Sequence, residues 1–260
     1  MINWISRVGY VFSFVFIFLV LFNQYVYADI LFFDNFNTGI DTTKWYLETV
    51  NGARWIYAEE GGNGYITTMP QGNWNNRYVD ILSQKDDFSD FILSYDIRFR
   101  SSSWHRDWRN VYLRGDISSN VYGYGMYVGV NVPVGPHPHI VQFAVHKPDG
   151  STASLGDGIY DKSWDLNQWY RFKIYLVNNN FKVKWWEQGA LEPIEWFLET
   201  SDPDKFYSKG RIGFGNYWRG VTDIDNVKVE TPDVVPEPMS LLMFGIGIIG
   251  MWRIRRMVVV

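Results

Sequence analysis

The residues best suited to chemistry in this sequence are concentrated in one short stretch. The run Trp-His-Arg-Asp-Trp-Arg occupies positions 104–109, and Arg114 follows it. Sugars present apolar C–H faces ringed by hydroxyls, so they stack on indole rings while guanidinium and other polar groups hydrogen-bond their rim. The stretch therefore predicts a carbohydrate-binding site formed by Trp104, His105, Trp108 and Arg114. The alternative is a pair of tryptophans that folds back over the edge of the domain.

Two further tryptophans stand among polar turn residues, which favours exposure. They are Trp74, in the run Gly-Asn-Trp-Asn-Asn-Arg, and Trp218, in the run Tyr-Trp-Arg. The chain has 13 Trp, and 18% of its residues are aromatic, more than a core of this size requires. We therefore add Trp74 and Trp218 to the predicted carbohydrate site, with packing against a loop as the alternative for each.

Composition excludes several other functions. The formal net charge of −4 provides no basic field, so nucleic acid is not an expected partner. The absence of cysteine excludes disulfides and thiolate metal sites. The run Pro-His-Pro-His at 136–139 resembles a metal clip, but a surface turn is the simpler interpretation because its prolines hold the chain extended.

Alternating apolar and polar residues indicate that β-strands position these groups from Asp29 to about Glu230. The clearest strand is 91–100, in which every second residue is apolar. Alternation at 170–176 and 181–185, with three asparagines between, predicts a hairpin. There is no amphipathic helix. About a dozen short strands predict an all-β fold with two antiparallel sheets packed as a sandwich, because one open sheet of that size would curl or split.

Several strand motifs resemble the concanavalin A-like, LamG-like jelly rolls, in order along the whole domain. These motifs are Phe33–Phe36, Phe88–Phe91, Trp169–Lys173, Gly210–Phe214 and Ile224–Val229. The resemblance implies a jelly-roll sandwich over residues 29–231, with the first and last strands paired. Such sandwiches often hold one structural calcium through oxygen ligands. The resemblance therefore implies a structural calcium, the one cofactor we expect, at Asp34 and Asp225.

The acids expected of an enzyme in that superfamily are missing. Its retaining glucanases need two carboxylates about 5.5 Å apart, but their signature Glu-x-Asp-x-x-Glu does not occur here. The runs 110–115 and 124–128 resemble the 3-keto-disaccharide hydrolase-like branch, with Gly125 where that branch carries Glu. We therefore assign no catalytic residue and predict binding without turnover. The alternative is a glycoside hydrolase that acts on surface or environmental polysaccharide, with acids drawn from Glu59, Glu60, Asp116 and Asp157.

The N-terminus has the order of a signal peptide, which we assign to residues 1–28. Arg7 precedes an apolar run from Val8 to Phe22, and Ala28 fits the position before a signal peptidase cleavage site. The run is short for a bilayer span, which favours cleavage over a retained anchor. Cleavage would leave Asp29 as the first residue of the exported protein.

The C-terminus combines a linker at 232–238, which includes Pro236, Glu237 and Pro238, with an apolar segment at 239–260. A transmembrane helix from Met239 to Trp252 would be about 21 Å long, shorter than the roughly 30 Å hydrocarbon core. The basic residues after it are expected in the cytoplasm. They are Arg253, Arg255 and Arg256.

This order resembles the PEP-CTERM sorting signal, although four residues follow the arginines here. The resemblance implies recognition by an exosortase in an exopolysaccharide-producing bacterium. An ordinary C-terminal membrane tail is the alternative. We therefore predict an exported protein that signal peptidase and exosortase process. The inner membrane holds it transiently with the domain in the periplasm, before it reaches the cell surface or the extracellular matrix of a biofilm. A polysaccharide is its expected ligand.

Overall fold

A computed structural model describes residues 28–49, 53–69, 78–101, 107–116, 122–130, 141–159, 164–217 and 220–232. The predicted signal peptide before Ala28, and the linker and C-terminal helix after Pro232, lie outside the described residues. All described strands belong to one compact unit, Asp29–Pro232. The described part of the chain has no helix long and apolar enough to cross a membrane.

Fifteen β-strands make up the regular structure of the described residues. They are β1 (Ile30–Asp34), β2 (Trp45–Leu47), β3 (Arg54–Glu60), β4 (Asn63–Met69), β5 (Tyr78–Ser83), β6 (Phe91–Phe99), β7 (Asp107–Asp116), β8 (Tyr122–Val130), β9 (Val141–His146), β10 (Thr152–Ile159), β11 (Trp169–Val177), β12 (Asn180–Glu187), β13 (Leu198–Ser201), β14 (Arg211–Tyr217) and β15 (Thr222–Glu230).

The strands form two antiparallel sheets. The eight-stranded sheet has the order β13-β12-β11-β6-β15-β4-β3, and β1 also pairs with β15. The seven-stranded sheet has the order β10-β9-β8-β7-β14-β5-β2. Apolar side chains of both sheets meet in one buried core. The prediction of an all-β, two-sheet antiparallel sandwich whose first and last strands pair is confirmed.

Strand β6 shows how the sequence pattern produces the core and where it misleads. Its alternate residues Phe91, Leu93 and Tyr95 are buried in the core, as the pattern predicts. The pattern also predicts that the opposite face meets solvent or a groove, yet Asp96 and Arg98 on that face are buried as well. Charged partners on the neighbouring strands β11 and β15 surround these two side chains, which makes their burial tolerable.

The predicted hairpin is present as β11 and β12. The strands pair from Tyr170 with Glu187 to Val177 with Asn180, so only two residues form the turn. Asn178 in that turn has φ 53°, a left-handed conformation that asparagine adopts more readily than most residues. Trp185 packs in the core, and its neighbour Trp186 lies on the opposite face, half-buried.

Candidate functional site

Three glycines lie on the outer face of the seven-stranded sheet, on the two strands that flank β7. On β14, Ile212 and Phe214 point into the core, so Gly213 and Gly215 face outward. On β8, at the other side of β7, Gly125 does the same. A Cβ atom at Gly215 would lie 2.6 Å from the Oδ1 atom of Asp80, too close for any real side chain. We call Gly125, Gly213 and Gly215 the glycine floor.

A row of polar side chains crosses this face beside the glycine floor. Strand pairing places Asp80 opposite Gly215, Gly215 opposite Asn110, Asn110 opposite Tyr127, and Tyr127 opposite Gln142. The row therefore spans five strands, from β5 to β9. It brings together residues that are distant in the sequence, which is the usual way that a sheet builds a binding surface.

Asn110 has an unusual position in this row. Its side chain is only 2% exposed, and its Oδ1 atom has no hydrogen-bond partner among the described residues. A buried polar atom without a hydrogen-bond partner lowers the free energy of unfolding by about 1–3 kcal/mol. A Cβ atom at Gly125 would lie 2.7 Å from this oxygen and 3.3 Å from the Nε2 atom of His146. Asn110 thus presents an unpaired acceptor at the edge of the glycine floor.

Aromatic rings flank that acceptor. The rings of Trp108 and Tyr127 lie 5.6 Å apart at 69°, and those of Tyr127 and His146 lie 5.6 Å apart at 64°. The Tyr127 hydroxyl and His146 Nε2 are 2.7 Å apart, and His146 Nδ1 is 3.2 Å from the Thr152 hydroxyl. We call Trp108, Tyr127 and His146 the aromatic ladder. All three are half-buried, so each retains a partly exposed ring.

The aromatic ladder is uncharged at neutral pH. Burial raises the pKa of Tyr127 to about 12 and lowers the pKa of His146 below its ordinary value. The Tyr127 hydroxyl and the His146 imidazole are thus both neutral, and either group can donate in the hydrogen bond between them. The face therefore offers stacking and hydrogen bonding without a net charge, which suits an uncharged polyhydroxyl ligand.

Asp80, at the other end of the polar row, is a buried carboxyl group. It accepts a hydrogen bond of 2.8 Å from the Tyr112 hydroxyl. Burial raises its pKa to about 8, and a side-chain hydrogen bond with Glu48 acts in the same direction. Asp80 is therefore protonated at neutral pH. The carboxyl groups of Asp80 and Glu48 share a hydrogen bond. They are therefore closer together than the two catalytic carboxyl groups of a retaining glycosidase, which lie about 5 Å or more apart. A glycosidic bond would not fit between them.

Of the six predicted carbohydrate-binding residues, the structure describes Trp108 and Arg114. Trp108 lies on the aromatic ladder, beside residues that the sequence did not single out. Trp74, Trp104, His105 and Trp218 lie outside the described residues.

Arg114 is not available to a ligand, contrary to expectation. It is 2% exposed, and its guanidinium donates to the carbonyl oxygens of Ser89 (2.7 Å) and Tyr207 (2.8 Å). It also donates to the Oδ1 atoms of Asn179 (3.3 Å) and Asp90 (3.1 Å). Arg114 thus ties the ends of several strands together, which is a structural role.

Asp34 and Asp225 do not form the expected joint calcium site. Asp34 points toward the core, where its carboxylate accepts from the Trp45 indole (2.8 Å) and a backbone amide. Asp225 faces the other side of the sheet, where Asn63 and Asn226 donate to it. The two carboxylates therefore lie on different sides of the sheet and do not meet at one ion. No group of three or more metal-binding side chains occurs in the described part of the chain.

The alternative catalytic acids do not come together either. Glu59 and Glu60 lie on β3 in the eight-stranded sheet, whereas Asp116 and Asp157 lie on β7 and β10 in the other. Glu60 accepts from Arg98 at 2.7 Å, and Glu59 accepts from Tyr57 at 3.0 Å.

Comparison with known proteins identifies the motif at the end of the chain. Residues 234–256 match the model of the PEP-CTERM protein-sorting motif, so the chain carries a signal for export and sorting to the cell envelope. No curated protein matches the sequence.

Solved structures show the fold class. The carbohydrate-binding module CBM66 from Bacillus subtilis is 20% identical with a TM-score of 0.51, over 72% of this chain and 96% of that chain. The VIP36 exoplasmic/lumenal domain, Ca²⁺/Man2-bound form, is 11% identical with a TM-score of 0.55, over 78% and 88%. Peanut lectin is 10% identical with a TM-score of 0.52, over 79% and 97%. The domain is thus a concanavalin A-like, lectin-like jelly roll.

Proposed function

We propose that the sandwich at residues 29–231 binds a carbohydrate without cleaving it, through the outer face of its seven-stranded sheet. The observation that carries this proposal is the unpartnered Oδ1 atom of Asn110, which lies between the glycine floor and the aromatic ladder. The lectin-like fold supports it, because CBM66 is titled a carbohydrate-binding module and one VIP36 structure contains Man2.

The arrangement suggests how a sugar would bind. Over Gly125 and Gly215 the side chains of Asn110, Asp80 and Tyr112 close against the backbone, so a sugar ring would lie on these polar groups. Trp108 offers an apolar surface for the C–H face of the ring. A sugar hydroxyl can donate to the Oδ1 atom of Asn110 and so satisfy the buried acceptor. Asp80, which is protonated at neutral pH, keeps the polar row free of a repelling carboxylate charge.

The same geometry argues against hydrolysis. Gly125 stands where the resembling hydrolase-like branch carries a glutamate, and the Asn110 side chain occupies the space that a larger residue would need. The carboxyl groups of Asp80 and Glu48 share a hydrogen bond, so they are too close together to bracket a glycosidic bond. We therefore expect no release of reducing sugars from any glycan that binds. Measurable release would favour the glycoside hydrolase alternative.

Binding should depend on Trp108 and Asn110. On a glycan array with the fragment 29–232, which contains every described strand, we expect a signal with the native sequence. Trp108→Ala and Asn110→Ala should each weaken it about tenfold or more, since central contact residues contribute above 1 kcal/mol. Tyr57→Ala is the matched control, because Tyr57 is exposed but lies on β3 in the eight-stranded sheet. Equal binding by Trp108→Ala and Tyr57→Ala would contradict the proposed face.

We further propose the following route for the protein. Residues 1–28 direct export and are removed after Ala28. Residues 239–260 hold the tail in the inner membrane with the domain in the periplasm. An exosortase then acts at the motif that contains Glu237, which delivers the domain to the cell surface or extracellular matrix. The polysaccharide ligand would then be the exopolysaccharide of the surrounding biofilm.

Sorting should depend on the Pro-Glu-Pro motif. We expect Glu237→Ala to accumulate in the inner membrane fraction with its tail uncleaved, whereas the native protein is processed and leaves that fraction. Glu230→Ala, seven residues upstream, is a control for a lost carboxylate near the tail. Cell fractionation with an antibody against the domain measures both. Identical processing of native and Glu237→Ala proteins would favour an ordinary membrane tail.

A further inference from the structure

A groove with aromatic and polar walls lies on the side of the sandwich opposite to the proposed carbohydrate face. It is on the outer face of the eight-stranded sheet, where β11, β12 and β13 run side by side. Its volume is about 580 Å³. This is within the range of small-molecule sites, about 300–1,000 Å³. The side chains that line it include Tyr175, Asn180, Lys182, Glu199 and Ser201. The proposed carbohydrate face does not use any of them.

The aromatic side of this groove is held in place by the protein itself. The Tyr175 ring lies 6.1 Å from the ring of Trp196, at 55°. Trp196 belongs to the segment 188–197 that follows β12. Lys184 fixes that segment, because its Nζ atom donates to the Pro193 carbonyl at 2.8 Å and lies 4.8 Å from the Trp196 ring centroid. The two half-buried rings are therefore preorganised before any ligand arrives.

The polar side of the groove is electrically balanced. Lys182 pairs with Glu199 at 2.7 Å, and Glu192 pairs with both Lys173 (3.0 Å) and Lys184 (2.7 Å). The cations around the groove are thus already neutralised, which disfavours a phosphate or another anion as the ligand. The amide of Asn180 and the hydroxyl of Ser201 remain along the wall. An aromatic ring beside neutral hydrogen-bonding groups is the chemistry that recognises an uncharged saccharide.

We propose that this groove is a second saccharide site, and that the protein thereby cross-links polysaccharide chains. The two sites lie on the outer faces of different sheets, and packed sheets are about 10 Å apart, centre to centre. No single sugar unit can reach both sites, so a bound chain leaves the other site open to a second chain. Two weak sites on one domain also raise the overall avidity. The cross-linking part of this inference rests on the proposed function, whereas the groove itself does not.

The test uses the fragment 29–232 with three neutral polysaccharides of high molar mass: mannan, dextran and pullulan. Retardation in gels that contain each polysaccharide measures binding, and light scattering of mixtures measures cross-linking. The groove variants are Tyr175→Ala with Trp196→Ala, and Ser201→Trp, which fills the groove from an exposed position. The face variant is Trp108→Ala with Asn110→Ala. The control is Tyr57→Ala, an exposed position on β3, at the edge of the eight-stranded sheet farthest from β13. Thermal melting confirms that each variant is folded.

We expect the native fragment to be retarded and to increase scattering at least fivefold. Each groove variant and the face variant should still be retarded, more weakly, but should not raise scattering. Native-like scattering by Ser201→Trp would overturn the second site. Loss of all retardation in the face variant would also overturn the second site, because the groove alone would then bind no polysaccharide. That result would leave the proposed function intact. Loss of retardation only in the groove variants would overturn the proposed face instead. No retardation of the native fragment would overturn both.

Discussion

Replacing Asp223 with alanine is expected to lower the free energy of unfolding by about 3–5 kcal/mol. Its Oδ2 atom accepts from the Nε atoms of Arg98 (2.8 Å) and Arg100 (2.6 Å). The side chains of Asp223 and Arg98 are 1% and 7% exposed, so the Arg98 guanidinium would stay buried without its main counter-charge. Chemical denaturation of the fragment 29–232 measures the loss.

A matched control is the exposed pair of Lys85 and Asp87, whose charged atoms are 2.9 Å apart. Asp87→Ala should leave the denaturation midpoint unchanged, because water replaces the lost contact. Asp223→Asn should fall between the native protein and Asp223→Ala, since its amide oxygen can still accept a hydrogen bond. If Asp223→Ala were as stable as Asp87→Ala, the ion pair would not be important for the fold.

Asp80→Asn is expected to flatten the dependence of stability on pH. The folded-state pKa of Asp80 is about 8, raised by burial from the ordinary value of 3.8. Between about pH 4 and pH 8 the folded protein therefore keeps a proton that the unfolded chain has released. Its stabilising effect is complete below the unfolded pKa and is lost as pH rises through 8. The slope contributed by one such proton is up to about 1.4 kcal/mol per pH unit.

Denaturation of native and Asp80→Asn fragments at intervals from pH 4 to pH 9 tests this. The difference between the two curves isolates Asp80, because Asp225, whose pKa burial raises to about 6, titrates in both proteins. Tyr112 and Glu48 are the groups that contact Asp80, and neither is changed by the substitution. Parallel curves over the whole range would show that Asp80 ionises at an ordinary pH in the folded protein.

The sequence was sufficient for the fold where local alternation decides it. The core face of β6 and the hairpin of β11 and β12 follow directly from period-two patterns. Period-two alternation assigned side chains to the wrong face at two irregularities in the strands, which local patterns do not reveal. Arg114 has φ 55°, and the pairing of β7 with β8 shifts register there. Asn226 has φ 50°, and the register shift between Asp225 and Lys228 places Asp225 on the outer face and Val227 in the core.

The candidate site was predictable only in part for a related reason. Trp108 stood out because its residue type and its neighbours suggested sugar binding. Asn110 and Tyr127 lie in the runs 110–115 and 124–128, and the Gly-Tyr-Gly alternation of β8 could have indicated a face lined by glycine. What joins them is strand pairing across long stretches of chain, such as Asp80 with Gly215. Neither composition nor local pattern contains that register.

The most direct test of the proposed face is to locate a bound glycan by nuclear magnetic resonance. The spectra of the isotope-labelled fragment 29–232, with Ser201→Trp closing the second groove, are recorded with and without a neutral glycan that binds it. We predict that the side-chain amide of Asn110, the imidazole of His146 and the indole of Trp108 shift on saturation, while the exposed ring of Tyr57 on the other sheet does not. Saturable binding that leaves Asn110, His146 and Trp108 unshifted would contradict carbohydrate binding at this face.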